Sequence, residues 1–245
     1  MQEQEGASTT RMIFRYRVGQ GLRQVEDTLV REQEVQLWVG DRLQEVLVCT
    51  PVHLDELAVG RLFTAGLLGQ AADLRGLEVD QGLPAVRVML AATPAGAEWA
   101  GTGGSEGPHL EARDCLRLME QLLQVSPLHR ATGGVHTVAL ARGGELLLFR
   151  EDVGRHNAMD KVIGHCLLHG VDTSDKVLVH SGRVSADLAA KAIKAGFRAL
   201  VARAAVTDLA CSLAREAGMT LVGFTRGERF NVYSGETRVR TEGEA

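Results

Sequence analysis

Residues 177–224 read VLVHSGRVSADLAAKAIKAGFRALVARAAVTDLACSLAREAGMTLVGF. Three short runs rich in Val, Leu and Ala alternate in this stretch with two longer segments whose apolar residues recur at helical spacing. Strands that alternate with helices form βαβ units, in which the strands run parallel and the helices cover the faces of the sheet. The stretch therefore predicts a layered α/β core, which we place from about residue 128 onward.

Periodicity and turn residues predict the other elements around this stretch. A hairpin around Gly40-Asp41 is predicted within a strand-like region from Met12 to Thr50, and a second hairpin around Gly143-Gly144. The predicted strands cover 35–39, 43–49, 86–90, 135–141, 146–150, 177–180, 199–201 and 220–224. The predicted helices cover 55–68, 111–125, 157–168, 185–195 and 207–217.

The same patterns divide the chain into four parts. Residues 1–10 are predicted to be a tail, and residues 11–90 a smaller mixed α+β domain. Residues 91–108 contain two prolines and many glycines, which is typical of a long loop or linker. Residues 109–242 are predicted to form the α/β domain.

Composition excludes several classes of protein. Hydrophobic residues make up 45% of the 245 residues and charged residues 24%, which is enough apolar material to rule out a disordered chain. No apolar run approaches the roughly 20 residues that a membrane-spanning helix needs. A formal net charge of −4 argues against general nucleic-acid binding, which depends on an excess of Lys and Arg.

The termini and cysteines indicate a cytoplasmic protein. The first residues, MQEQEG, have neither the basic nor the apolar segment of a signal peptide. The four cysteines (Cys49, Cys115, Cys166 and Cys211) are too few and too scattered for a disulfide framework, and none forms a C-x-x-C pair.

Two loops that follow predicted strands contain groups suited to anions. Ser181, Gly182 and Arg183 lie between a strand and a helix, where free N–H groups and the helix dipole favour negative charge. The alternative for these three residues is an ordinary βα turn. Arg226 and Arg229 flank Gly227 after the last strand and could bind phosphate oxygens, the alternative being a solvated turn. Because both loops follow strands of one sheet, we predict that a polyanionic ligand lies at their shared edge.

Charge is concentrated where a predicted strand leads into a helix, at REDVGRHN (150–157). One interpretation is a helix cap at Asp152 or Asn157 with the other groups in solvent. The density of charge favours internal ion pairs that hold Arg155 and His156 towards a site. His136, which follows Gly133-Gly134, is either a donor to the ligand or a simple strand-end residue.

Lysine and histidine positions carry weaker signals. Lysine occurs at only four positions, and we interpret Lys161 and Lys191 as places where a compact ammonium group is needed. His165 and His169 have the i, i+4 spacing of a helical zinc pair, but Cys166 stands where such sites place a Glu base. We therefore interpret these residues as structural and predict no metal site.

The motifs together resemble the FdhD/NarQ family, the formate dehydrogenase accessory sulfurtransferases. The resemblance covers about residues 35–240. It is carried by Thr50-Pro51, 55–58 (DELA), 132–136 (TGGVH), 150–158 (REDVGRHNA) with Asp160-Lys161, Ser181-Gly182-Arg183 with Ser185 and Lys191, and 224–229 (FTRGER) with Tyr233.

The resemblance implies a fold, partners and a cofactor. It implies a cytidine-deaminase-like α/β fold, a homodimer and a role in maturing formate dehydrogenase. Family members take sulfur from a cysteine desulfurase as a persulfide and pass it to the molybdenum of the bis-molybdopterin guanine dinucleotide cofactor. The family's cofactor-binding stretch falls on Phe224, Thr225, Arg226, Gly227, Glu228 and Arg229, so residues 109–242 are expected to be the cofactor-binding domain.

One departure from the family bears on activity. Family members carry the persulfide on a C-x-x-C pair, and here Gly104 and Gly107 occupy the cysteine places. Three hypotheses follow. Another cysteine carries the sulfur, with Cys115 the nearest; or the chain is a non-catalytic carrier of the cofactor; or it is a deaminase-like hydrolase. The third would need H-x-E and P-C-x-x-C motifs, and the sequence has neither.

Overall fold

The computed structural model describes residues 6–80, 82–91 and 107–241. Gly104 and most of the loop predicted at 91–108 lie outside the described residues, as do residues 1–5 and 242. The division of the chain into four parts stays a prediction.

Fourteen strands and six α-helices are present in the described part of the chain. The strands are β1 (Ser8–Arg17), β2 (Gly21–Val30), β3 (Gln33–Val39), β4 (Arg42–Cys49), β5 (Leu74–Asp80), β6 (Ala85–Leu90), β7 (Leu110–Glu111), β8 (His136–Arg142), β9 (Glu145–Asp152), β10 (Val177–His180), β11 (Ala199–Ala202), β12 (Thr220–Arg226), β13 (Arg229–Ser234) and β14 (Val239–Arg240). The helices are α1 (Leu54–Thr64), α2 (Ala112–Val125), α3 (Pro127–Thr132), α4 (Arg155–Leu168), α5 (Ala186–Lys194) and α6 (Asp208–Glu216).

The main sheet has six strands in the order β13-β12-β11-β10-β8-β9. Strands β10, β11 and β12 are parallel, which confirms the βαβ units predicted from residues 177–224. The sheet as a whole is mixed, because β8–β9 and β12–β13 are joined by tight turns that only antiparallel neighbours can use. The α/β class is confirmed, and the finer cytidine-deaminase-like arrangement stays a prediction.

Helices cover both faces of this sheet, because successive strand residues point to opposite sides. On one face Ala139, Val179 and Val201 pack with α2 through Cys115 and Leu122. On the other face the alternate residues of the same strands, such as Leu140, Leu178 and Leu200, pack with α4, α5 and α6.

Helix α1 joins the main sheet to a second, four-stranded sheet. That sheet has the order β4-β3-β6-β5, and its buried face packs on α1. On its other side α1 lies directly against α4, where Gly60 and Gly164 let the two backbones approach closely. An added Cβ at Gly164 would overlap the carbonyl oxygen of Glu56, and one at Gly60 would overlap that of Asp160.

The remaining elements are mostly ones that the sequence patterns did not predict. Strand β1 begins at Ser8, inside the predicted tail, and pairs with β2 in a ribbon whose Phe14 and Tyr16 are exposed. Helix α3 and strands β5, β7 and β14 were also not predicted. None of the helices in the described ranges is both long and apolar enough to cross a membrane.

Replacing Gly164 or Gly60 with Ala should destabilise the fold, because the new methyl group meets backbone of the facing helix. We expect a loss of about 3 kcal/mol in the free energy of unfolding, the upper end of the usual cost of overpacking. Urea denaturation measures it. The control is Ala190→Gly at an exposed position of α5, which reports only intrinsic helix preference, about 1 kcal/mol. Two glycine variants as stable as the wild type would contradict the close contact.

Candidate functional site

The predicted ligand loops lie along one edge of the main sheet, where the parallel strands end. The N–H of Arg203, after β11, donates to the carbonyl oxygen of His180 at 2.9 Å. The N–H of Phe224 donates to the carbonyl oxygen of Ala204 at 3.0 Å. The loops after β10, β11 and β12 are thus linked by main-chain hydrogen bonds, at the edge where open α/β sheets bind ligands.

A groove of about 740 Å³ opens at this edge on the α2 face of the sheet. Its charged lining contains four arginines and two glutamates, and its apolar wall comes from α2. Those lining residues are Arg113, Arg117, Arg203, Arg226, Glu120 and Glu228, with Leu116, Met119 and Leu123 as the wall and Thr225 and Gly227 completing it. The groove therefore combines an excess of positive charge with an apolar surface.

The end of β12 has an unusual backbone conformation that shapes the groove. Phe224 has φ +52°, a left-handed conformation that bulky residues rarely adopt, and the pairing with β13 is irregular between Gly223 and Arg226. Arg226 donates through Nε to the carbonyl oxygen of Arg203 at 3.1 Å. The Thr225 side chain is 1% exposed, and its Oγ1 has no hydrogen-bond partner among the described residues.

A second group of predicted residues lies on the other face of the same sheet edge. His136 and His180 continue the side-chain series that faces α4 and α5, and their ring centroids are 6.2 Å apart. Gly182 is buried against both rings, since an added Cβ would lie 2.7 Å from Cε1 of His180 and 2.9 Å from Nδ1 of His136. Arg155 and His156 open α4 beside them.

Burial keeps these imidazoles neutral near pH 7. It lowers the pKa of His180 to about 4, and the pKa of His136 also falls, through burial and the nearby Arg155 charge. The pKa of His156 is lowered to about 4 by burial, with the Lys191 and Arg155 charges adding to the effect. Each ring therefore carries one N–H and one acceptor nitrogen at neutral pH.

The structure divides the predicted single site into two. Thr225, Arg226, Gly227 and Glu228 line the groove, whereas His136, Arg155, His156 and Gly182 lie on the opposite face.

Three further predicted residues do not serve as ligand groups, either in the groove or beside His136 and His180. Ser181 is a structural tie: its Oγ accepts from the N–H of Thr137 at 2.9 Å, and its own N–H donates to the Thr137 carbonyl. Arg183 is exposed, and Arg229 is exposed on β13 outside the groove lining. Strand residues alternate between faces, so sequence order along one edge did not reveal the division.

Sequence reasoning also missed the arginines that α2 and β11 contribute to the groove. Arg113 and Arg117 are four residues apart and therefore lie on one helical face, which is a signal that the sequence contained. Arg203 directly follows a predicted strand, as Ser181 does. No pattern in the sequence indicated that α2 packs over the ends of β11 and β12.

Internal ion pairs position the start of α4, as the charge density of 150–157 predicted. Asp152 and Lys161 are fully buried and lie 2.7 Å apart. Both also bind Thr50 of the N-terminal part: the Thr50 N–H donates to Asp152 at 3.1 Å, and Lys161 donates to the Thr50 carbonyl at 3.0 Å. Asp152 further accepts from the Gly154 N–H at 2.8 Å and so fixes the turn into α4.

The other lysine that was singled out is also in a buried ion pair. Lys191 of α5 lies 2.5 Å from Asp160 of α4, whose carboxylate is fully buried. Burial raises the pKa of Asp160, while Lys191 and Thr64 act in the opposite direction. Both lysines that were singled out thus lie in buried ion pairs, and the requirement for a compact ammonium group at these positions stays a prediction.

Glu56 of α1 is the hub of a third cluster. Burial alone would raise the pKa of this carboxyl group, but hydrogen bonds and charge from Arg150, together with His165, lower it overall. Glu56, His165 and His169 each place one possible metal-ligand atom within 4.8 Å of the others, a spacing that could hold a metal ion. Arg150 contacts both carboxylate oxygens, at 2.5 and 2.6 Å, which favours a structural ion pair; the absence of zinc stays a prediction.

Three of the four cysteines are poor candidates for sulfur chemistry. Cys49, Cys115 and Cys166 are buried, and burial raises the pKa of each thiol to about 12. Cys115, the candidate nearest the missing pair, is buried and faces the sheet from α2. Gly107 has φ +77°, and an added Cβ there would lie 2.6 Å from Cβ of Arg198, so the site accepts no side chain without strain.

These features define a mixed α/β protein with anion-binding groups at one sheet edge. Residues 98–240 match the family model described as the FdhD/NarQ family. The chain belongs to the FdhD/NarQ family.

Individual relatives extend this match over nearly the whole chain. It is 38% identical to the sulfur carrier protein FdhD of Geobacillus kaustophilus, covering 95% of this chain and 97% of that one. It is 34% identical to the protein of that name from Bacillus subtilis, covering 95% and 98%. A crystal structure from Desulfotalea psychrophila, assigned as a formate dehydrogenase accessory protein, superposes with a TM-score of 0.84 at 27% identity, covering 96% of this chain and 100% of that one.

Removing the ammonium group of Lys161 should strongly destabilise the protein. Lys161→Met leaves the Asp152 carboxylate buried without its counter-charge, and we expect a loss of about 3–5 kcal/mol in the free energy of unfolding. The matched control is Arg15→Met, which removes an exposed ion pair with Asp27 and should change stability by less than about 1 kcal/mol. Equal effects of the two variants in urea denaturation would contradict a stabilising role of the buried ion pair between Asp152 and Lys161.

Proposed function

We propose that this chain is a maturation factor for a formate dehydrogenase or a related molybdoenzyme. In this proposal the substrate or cargo is the molybdenum bis-molybdopterin guanine dinucleotide cofactor, and its guanine nucleotide end binds in the α2 groove. Support comes from the family and from the names of its relatives, which refer to sulfur carriage and to formate dehydrogenase.

The chemistry of the groove carries the proposal. A dinucleotide presents a pyrophosphate with several charged oxygens, and Arg guanidinium groups bind such oxygens in pairs. Arg113, Arg203 and Arg226 offer these groups, and the buried Thr225 hydroxyl has no hydrogen-bond partner within the described part of the chain. The apolar wall of α2 suits the flat face of a purine, so the residues present fit the nucleotide.

The alternative of a non-catalytic carrier is favoured over sulfur transfer. A persulfide carrier needs an accessible thiolate, which Gly107 cannot supply and which the three buried thiols do not form at neutral pH. The fourth cysteine, Cys211, is half-buried, and its thiol donates to the carbonyl oxygen of Tyr233 at 3.4 Å, so it is tested with the other three. We therefore propose that the chain holds and delivers the cofactor. A cysteine desulfurase partner, a homodimer and a cytoplasmic location belong to the same proposal.

Binding of guanosine diphosphate tests the groove, because this probe contains the purine and the pyrophosphate. Arg226→Ala should weaken binding about tenfold, since a charged hydrogen-bonding partner of the phosphates is lost. Isothermal titration calorimetry measures the dissociation constant.

The matched control is Arg229→Ala, three residues further along the chain and outside the groove lining. It should bind guanosine diphosphate like the wild type. Equal weakening by both variants, or no binding by the wild-type protein, would overturn the assignment of the groove.

Mass spectrometry tests the carrier proposal against sulfur transfer. After incubation with a cysteine desulfurase and cysteine, Cys49, Cys115 and Cys166 should gain no sulfur, because their thiols stay protonated and buried. A cysteine-based family member treated in parallel is the positive control. A 32-dalton increment, the mass of about one sulfur atom, on any of the four cysteines, Cys211 included, would restore the sulfur-transfer hypothesis.

A further inference from the structure

The amino-terminal ends of two helices lie at the same edge of the sheet, on the face opposite the groove. Helix α4 begins at Arg155 and helix α5 at Ala186, and both pack on that face. The charge of Asp187, in the first turn of α5, acts on His156, in the first turn of α4, so the two helix ends are neighbours. The loop that leads into α5 passes Gly182, which is buried against the rings of His136 and His180.

Neither helix is capped by a side chain. The residue before α4 is Gly154, which has no side chain to accept from the first N–H groups. Ser185 occupies the cap position of α5, where serine usually accepts such a hydrogen bond, yet its Oγ does not do so. Both helix ends therefore keep their positive dipole ends without a side-chain acceptor.

Three buried polar atoms in this region lack hydrogen-bond partners within the described ranges: Nε of Arg155, Nε2 of His180 and Oγ of Ser185. Buried polar atoms are nearly always paired, so each of the three requires an explanation. The His180 side chain is 0% exposed, which makes an unpaired ring nitrogen there costly.

All three of these atoms are donors. The Nδ1 atom of His180 accepts from the N–H of Gly182 at 2.8 Å. Because the pKa of His180 is about 4, the ring is neutral and its proton must be on Nε2. Arg155 Nε always carries a hydrogen, and the Ser185 hydroxyl can donate one. Each of these three atoms can therefore donate a hydrogen bond to a bound group.

Positive charge exceeds negative charge around these donors, where Asp187 in the first turn of α5 is the acidic residue that acts on His156. The two nearby lysines are neutralised, Lys161 by Asp152 and Lys191 by Asp160. Arg155 and Arg183 form no ion pair within 4.0 Å in the portion of the chain that is described. Both charges lower the pKa of His136, which shows that they act on the same region.

We propose that Arg155, His180 and Ser185, with the N-termini of α4 and α5, form a binding site for a tetrahedral oxyanion. The anion is either a free inorganic ion or the phosphate of a larger ligand. Its oxygens accept from the three unpaired donors, and its charge balances Arg155 and Arg183. The site lies on the opposite face of the sheet from the groove and does not depend on the function proposed for the groove.

Calorimetric titration of the full-length protein with inorganic phosphate and with sulfate tests the site. Saturable binding is expected, and Ser185→Ala should weaken it about tenfold because an O–H donor to an anion is lost. Since the Ser185 hydroxyl has no hydrogen-bond partner in the residues that the structure describes, thermal stability without anion should not fall. The matched control is Ser212→Ala on α6, whose exposed hydroxyl contacts only its own helix.

A second variant, Arg155→Lys, retains the charge and removes Nε, and it should also weaken oxyanion binding. Competition with guanosine diphosphate separates the two sources of the anion: displacement of sulfate identifies a phosphate of the larger ligand, and independent binding identifies an inorganic ion. Absence of oxyanion binding, or unchanged affinity in both variants, would overturn this site while leaving guanosine diphosphate binding in the groove unaffected.

Discussion

The buried ion pair between Asp152 and Lys161 is the constraint on which the arrangement of the site depends. Two charges inside a protein are tolerated only when their remaining hydrogen-bonding capacity is used, and here Thr50 and Gly154 supply the partners. The pair consequently joins the end of β4, the end of β9 and the start of α4. Arg155 and His156 come directly after Gly154, so the ion pair also fixes where they lie.

The second constraint is that the two faces of the sheet are separate environments. Residues that follow neighbouring strands share an edge, but the pleat sends alternate side chains to opposite sides. Arg203 therefore meets α2, while His180 meets α4 and α5. One sheet edge can thus hold an open, arginine-lined groove on one face and buried hydrogen-bond donors on the other, and the two suit different ligands.

Much of the fold could be predicted from the sequence, because its C-terminal elements have regular periodicity and clear turn residues. The two glycine hairpins, α4 to α6 and the parallel strands lie close to their predicted bounds. Helix α3 and strand β7 are too short to show a period. The ribbon of β1 and β2 was predicted only as part of a strand-like region from Met12, without separate strands, because its residues show little burial contrast.

The candidate site was predictable only in part. Charged residues beside glycines at strand ends drew attention to Arg226 and Arg155, since such residues seldom serve packing. The left-handed backbone of Phe224 could not be anticipated, because nothing in a phenylalanine side chain favours it. The contribution of α2 depends on tertiary packing between segments that are far apart in the chain.

The conformation of Gly107 limits which side chains this position can accept. Its backbone suits glycine, and Cβ of Arg198 lies 2.6 Å from where a β-carbon would be. A cysteine introduced there would require its neighbours to move. A single substitution would therefore not install a reactive thiol at this position without rearranging the local structure.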